Sequence, residues 1–313
     1  MNTEKSPAPV VVFAYNRPGC LKRALEALCM DELAQKTDVF IFIDGCKGES
    51  DREKVAGCVD LANSVKSSGS FKRVEVCASE TNRGLAESII SGVTKVIEKY
   101  GRVIVLEDDL VVRGAFLRFM NDALEYYEKD SEIWSISGFT PYLRRLKRYP
   151  GDVYYSYRGC SWGWASWEDR FKLVDWKVST YGEFKNNESL RRQFARGGGD
   201  LPGMLDKQMK GEIDSWAVRW CYEQSRRNMY TIYPCSTFIE NIGFGEDATH
   251  TKKQNMRTAR INEKDSLRLI KAGPDPGITR EFYLNYTDTV SKKIRRNLNP
   301  EGIKKQLGRL LGK

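Results

Sequence analysis

The sequence predicts an α/β protein: a mainly parallel central sheet flanked by helices. Three observations point there. Apolar, strand-length runs at 9–16, 39–43, 73–77 and 103–106 alternate with helix-length stretches, and regular strand–helix alternation builds a parallel sheet with helices on both faces. The exits of these runs are polar or charged, at Arg17, Asp44, Arg83 and Glu107–Asp109, and such sheets bind ligands beyond the carboxyl ends of their strands. Finally, 313 residues with 41% hydrophobic and 30% charged content suit one large soluble α/β domain or two small ones.

Taken in order, PVVVFAYN (9–16) is a buried strand leaving through Tyr15-Asn16-Arg17. Pro18 can fill the first turn of a helix over 19–30, where Leu21, Leu25 and Leu28 share a face. Strand 39–43 ends in Asp44-Gly45, and a helix near 52–67 follows. Strand 73–77 leads through Ser79–Leu85 into a helix reaching about Tyr100. The next stretch, VIVLEDDLVV (103–112), drives an apolar strand into three carboxylates. A helix is expected over 114–128, a strand over 133–137, a helix over about 213–228 and a strand over 231–233. The aromatic, glycine-rich stretch 154–167 and the irregular loop 241–250 interrupt the pattern. Residues 181–203, ending in Arg-Gly-Gly-Gly-Asp, read as a mobile loop.

Charge is unevenly spread. Residues 291–313 hold eight Lys/Arg against one acid, a net +7 of the chain's +9, so the body has no nucleic-acid-binding charge. In that segment Ile303, Leu307, Leu310 and Leu311 recur at helical spacing among basic residues, which fits either an anionic membrane surface or a solvated end. No run of 18 apolar residues occurs, and the start, MNTEKSPAPVVVF, lacks a signal-peptide core. Eight cysteines without a CxxC pair read as reduced thiols of a cytosolic protein. With one histidine, a His-rich zinc site or a Ser-His-Asp triad is disfavoured.

The acid triplet is the focus. On an extended backbone Glu107 and Asp109 point together and Asp108 away. Hard oxygen ligands of this kind suit Mg²⁺ or Mn²⁺ completed by substrate phosphates, the alternative being a solvated turn. Asp44 is placed either to accept from a nucleobase N–H or to cap an Asp-Gly turn. Arg17 and Arg83 can meet a diphosphate through forked donors, or remain solvated. Trp162, Gly163 and Trp164 offer an aromatic platform for a sugar ring or, alternatively, plain core. Asp214, beside Trp216, is a candidate general base or helix N-cap, with Glu168 and Asp169 competing for the base role. His250 is a candidate second metal or phosphate contact. The sequons at Asn187 and Asn285 carry little weight in a cytosolic chain.

PVVVFAYNRPGCLKRAL, FIDGC, VIVLEDDLVVRGAFLRFMNDAL and IWSISGF, in that order, resemble the GT-A glycosyltransferases, and most closely the N-acetylglucosaminyltransferase I type with its Glu-Asp-Asp metal motif. The resemblance spans about 9–250 and implies a domain over 1–260, with a nucleotide-sugar half (about 9–130) and an acceptor half (131–260). Residues 261–313 would form an extension. It further implies Asp109 as the Mn²⁺ or Mg²⁺ ligand, Glu107 and Asp108 against the ribose, and Asp44 at the base of a UDP-type donor with Arg17 bordering that pocket. Asp214 would deprotonate the acceptor, although this chain has Asp-Ser-Trp where the family has Asp-Asp-Trp. The stretch GFGEDATH resembles a loop that orders over bound donor. The activity implied is inverting sugar transfer from a nucleotide-sugar donor; the cytosolic reading and the basic tail add the expectation of a cytoplasmic enzyme at the inner membrane face, acting on a glycan or lipid-linked glycan in surface polysaccharide biosynthesis. Two other classes compete: a sugar nucleotidyltransferase, disfavoured because the first strand exits without a Gly-rich, Lys-bearing phosphate loop, and a non-catalytic membrane-associated scaffold.

Overall fold

The computed structural model describes residues 6–244 and 257–287. Four parallel strands open the chain: β1 (Val10–Ala14), β2 (Asp38–Ile43), β3 (Arg73–Ala78) and β4 (Arg102–Glu107). They lie in the order β3-β2-β1-β4. Helices α1 (Pro18–Cys29), α2 (Glu49–Ser68) and α3 (Leu85–Tyr100) make the crossovers. Pro18 opens α1, and Gly69 and Gly101 close α2 and α3 at φ 72° and 73°, the left-handed conformation in which glycine carries no Cβ penalty. Along β1 successive side chains serve opposite layers: Val10 and Val12 join the core under α1 and α2, and Val11 and Phe13 the core under α3.

Past the acid triplet, β5 (Leu110–Val112) leaves the main sheet and α4 (Phe116–Tyr126) follows. Strands β6 (Ile133–Ser137), β7 (Val153–Ser156), β8 (Trp164–Trp167) and β9 (Tyr230–Pro234) extend the sheet to eight strands, β3-β2-β1-β4-β8-β6-β9-β7. β8 runs antiparallel to both β4 and β6, and β7 antiparallel to β9. Helices α5 (Glu168–Phe171), α6 (Tyr181–Lys185), α7 (Glu188–Ala195), α8 (Leu201–Met209) and α9 (Trp216–Arg226) lie between β8 and β9. β10 (Ile239–Asn241) pairs antiparallel with β5, and α10 (Pro276–Asn285) follows.

Two expectations are corrected. The polar stretch 181–203 is not a loop. It forms α6 and α7 and enters α8, around a small core of Phe184, Phe194, Leu201, Leu205 and Tyr222. The buried Arg158 guanidinium binds Asp200 through both nitrogens, at 2.8 and 3.0 Å, and pins the triple-glycine turn. The extension expected from 261 is, through Thr287, part of the main body: Ile278 and Phe282 are buried in its core, and Tyr127 Oη donates to Ile270 O at 2.6 Å. All eight cysteines are unpaired. No helix among the described residues is long and apolar enough to cross a membrane.

Candidate active site

The carboxyl ends of β1, β2, β3 and β4 lie along one end of the sheet, and the acid triplet stands where β4 leaves it, beside β1. Asp108 is buried and Asp109 nearly so. The Arg17 guanidinium spans both, donating through Nη2 to Asp108 Oδ1 and lying with Nη1 3.0 Å from Asp109 Oδ2. Burial raises the Asp108 carboxyl to about 6 in spite of Arg17. The Glu107 carboxyl makes no hydrogen bond or ion pair with any described residue. Burial, and then the charges of Asp109 and Asp108, push it up to about 8. The one cation therefore pairs with two of the three carboxyl groups, and a buried charge without a partner is costly.

Three loops hold this corner. At β1, Tyr15 Oη and Asn16 Nδ2 donate to Asp51 on α2, at 2.5 and 3.1 Å, and burial with that bond pushes the Tyr15 phenol up to about 12. At β2, Asp44 accepts from the backbone N–H groups of Gly45, Arg83 and Gly84 at 2.8–3.0 Å. Asn82 Nδ2 returns a bond to Gly45 O at 2.7 Å. Gly45 lies so close to the backbone of Thr81 and Asn82 that a Cβ there would clash. Asp44 thus fills the turn-capping role, and through it the loops after β2 and β3 form one unit. The Arg83 side chain is exposed and has no hydrogen-bond or ion-pair partner among the described residues.

On the far side, β10 lays residues 241–243 along the triplet. Ile242 N–H donates to Asp109 O at 2.9 Å, and a Cβ on Gly243 would collide with Asp109 Oδ2. Residues 242 and 243 therefore lie directly against Asp109. His250 and the rest of 245–256, like residues 288–313, lie outside the described residues.

The tryptophan stretch divides. Trp164 is wholly buried, stacked on Trp216 at 5.2 Å and tilted against Trp220 at 5.3 Å. It has no face for a sugar, which corrects that expectation. Gly163 is backed by Ile239 at φ 65°. Only Trp162 is half-exposed, edge-on to Phe139 and Phe244 at 4.6 and 5.9 Å.

Asp214 precedes α9, but the helix N-cap is Ser215, whose Oγ accepts from Val218 N–H. Trp216 turns into the core, so Asp214 has no aromatic wall. Its exposed carboxylate pairs with Arg219 at 3.4 Å, and a Cβ on Gly84 would lie 3.7 Å from its Oδ2. Asp214 therefore sits at the same sheet end as Asp44 and Arg83. Glu168 and Asp169 do not. They follow β8 where it meets the start of β4, Glu168 N–H donating to Gly101 O, and their side chains pair with Lys172 and Arg170. As competing bases they are at the wrong end of the sheet.

Sequence reasoning missed Asp51, Tyr15 and Gly243. Gly243 at least stood in the stretch 241–250, whose glycines signal close backbone approach.

The donor set can be tested against the divalent ion that this arrangement implies. No three of His, Cys, Asp and Glu among the described residues are grouped to hold a metal. The triplet nevertheless supplies hard oxygens, excess negative charge and an unpartnered Glu107. It fits an ion held by one or two carboxylates and completed by substrate phosphates.

A protein-family model described as glycosyl transferase family 2 matches residues 10–173, more than half of the chain and every element from β1 through α5. The chain belongs to glycosyl transferase family 2, and its fold is GT-A. No curated protein sequence matches it. Among solved structures, a mannosyltransferase from Pyrobaculum calidifontis in complex with GDP-Man and Mn²⁺ is 11% identical, with a TM-score of 0.38, over 53% of this chain and 46% of that one. This chain thus spans less than half the length of that protein. The galactosyltransferase LgtC, in complex with donor and acceptor sugar analogues, is 11% identical with a TM-score of 0.36, over 72% of each chain. TarS from S. aureus is 11% identical with a TM-score of 0.36, over 72% of this chain and 60% of its own.

Proposed function

We propose that this protein is a metal-dependent glycosyltransferase of the N-acetylglucosaminyltransferase I type. It moves a sugar, with inversion, from a UDP-type donor to a hydroxyl of a glycan or glycolipid in surface polysaccharide synthesis. The observation that carries the reading is the acid corner at the carboxyl end of β4, three carboxyl groups beside a single guanidinium that pairs with two of them.

Asp109, at the exposed side of the corner, is the residue that would hold Mn²⁺ or Mg²⁺, with His250 a candidate second contact. The ion, when bound, would neutralise the leaving diphosphate. Arg17 and the unpartnered Arg83 offer forked donors to the same phosphates. Glu107 and Asp108 border the ribose, and Asp44, by fixing the 82–84 loop, shapes the pocket for the base. Asp214, exposed at the same sheet end, takes the acceptor proton as the hydroxyl attacks. Its exposed carboxylate lies 3.4 Å from the Arg219 guanidinium. Trp162, with Phe139 and Phe244, gives the acceptor an aromatic edge and limits water. The basic segment 291–313 would bring the enzyme to an anionic membrane surface.

Incubation with a panel of UDP-sugars and Mn²⁺ tests the class. UDP release, by transfer or by slow hydrolysis, is expected. Pyrophosphate would mean a nucleotidyltransferase, and no nucleotide product would mean a scaffold.

A further inference from the structure

We propose that Arg17 is a built-in counter-ion of the acid corner, which the donor diphosphate draws off Asp109, so that donor and divalent ion bind with positive coupling. This deepens the metal-dependent reading above and rests on it.

Both guanidinium nitrogens of Arg17 are committed to acids: Nη2 donates to Asp108 Oδ1, and Nη1 lies 3.0 Å from Asp109 Oδ2. The side chains are 17%, 3% and 15% exposed for Arg17, Asp108 and Asp109, so solvent screens the pairing little. Asp109 Oδ2 is also the oxygen that faces Gly243. The guanidinium therefore neutralises the carboxylate that a metal would use, and a second cation arriving there meets a like charge.

The backbone at Arg17 is held while its side chain can swing. Pro18 begins α1 directly after it, and Tyr15 and Asn16 are tied to Asp51. A planar fork matches phosphate oxygens as well as carboxylates. A diphosphate placed beside the corner competes for it and carries enough negative charge to win. Once Arg17 turns to the phosphates, Asp109 is free, and the cation that opposed the metal now helps to hold its substrate. Linkage makes the coupling reciprocal: the donor tightens the metal by the factor by which the metal tightens the donor.

The test is Mn²⁺ titration of the full chain, followed by the electron paramagnetic resonance signal of free Mn²⁺, with and without UDP. UDP should tighten Mn²⁺ binding to the wild type by about tenfold or more, within the range typical of coupled sites. Arg17→Met should bind Mn²⁺ more tightly than wild type without UDP, and UDP should tighten it by a smaller factor than in the wild type, the remainder being what the phosphates supply as ligands of the ion. The proposal is overturned if Arg17→Met binds nucleotide-free Mn²⁺ no tighter than wild type while the UDP effect persists. Binding of Mn²⁺ by neither protein, even with UDP, would instead sink the metal reading itself. Circular dichroism checks folding, and Arg17→Gln, also uncharged, replaces the Met variant if that one is unfolded.

Discussion

β4 and β8 lie side by side and antiparallel, so each delivers acids to an opposite end of the sheet. Glu107–Asp109 leave the carboxyl end of β4 into a corner with a single cation, where burial raises Glu107 to about 8. Glu168 and Asp169 leave β8 beside the start of β4, and each has its own partner, Lys172 or Arg170. The two ends are separated by the six-residue length of β4, roughly 16 Å. Composition alone makes the two acidic clusters alike. Strand direction sets them apart: the first cluster faces the loops that follow β1 and β2, whereas Glu168 and Asp169 make local ion pairs, Asp169 with the buried Arg170.

The largest expected effect sharpens this contrast. Asp214→Asn, at the active end, should lower turnover by about 10²–10⁴, the usual contribution of a general base, with UDP affinity retained. Glu168→Gln and Asp169→Asn should change turnover by no more than about twofold, as surface substitutions away from a site do. Steady-state UDP release reads all three, and a large loss in either of the latter would break the comparison.

Next comes the contrast within the tryptophan stretch. Trp164→Ala should destabilise the fold by about 3–5 kcal/mol, as loss of a large buried side chain does. Trp162→Ala should cost clearly less in a denaturant melt and act mainly on the acceptor KM. Equal melting losses would contradict the division of the two rings.

Gly243→Ala follows, because its methyl would meet Asp109. Overpacking of this kind costs about 1–3 kcal/mol, and metal-dependent UDP affinity should fall while nucleotide-free stability changes less. Calorimetry and a melt separate the two.

The smallest effect concerns the α7–α8 contact remote from the corner. Arg191 binds Asp206 through both nitrogens, at 3.0 and 2.7 Å, and holds its carboxyl below the ordinary value. A depressed folded-state pKa gives stability that is complete above the unfolded value, about 3.9, and is lost as pH falls through the folded one. The amount should be below about 1 kcal/mol. Thermal melts between pH 6 and pH 3, about one unit or more on either side of that value, should show this loss in the wild type and lack it in Arg191→Met.

Much of the first half was legible in the sequence, because local rules act there. Apolar runs, Pro18 at a helix start and glycines at helix ends each mark their own element. The strands β7 and β8 were hidden by their aromatic and glycine content, and 181–203 by polar composition. Phe184, Phe194 and Leu201 are few, and their core is completed by Tyr222 of a distant helix. The acid corner was legible as chemistry, whereas its counter-charge was not: pairing Arg17 with Asp108 and Asp109 requires the ends of β1 and β4 to meet. Asp51 was invisible for the same reason, since its partners Tyr15 and Asn16 belong to another loop. Asp214 was singled out by its residue type, and the fold sets Trp216 in the core and Gly84 close to its carboxylate.

The most direct measurement is calorimetric titration of UDP into the wild type and Asp109→Asn, each with and without Mn²⁺. Mn²⁺ should strengthen UDP binding to the wild type and have no effect on a folded Asp109→Asn. Equal UDP affinity for both proteins in Mn²⁺ would show that the carboxylates at the end of β4 do not hold the ion.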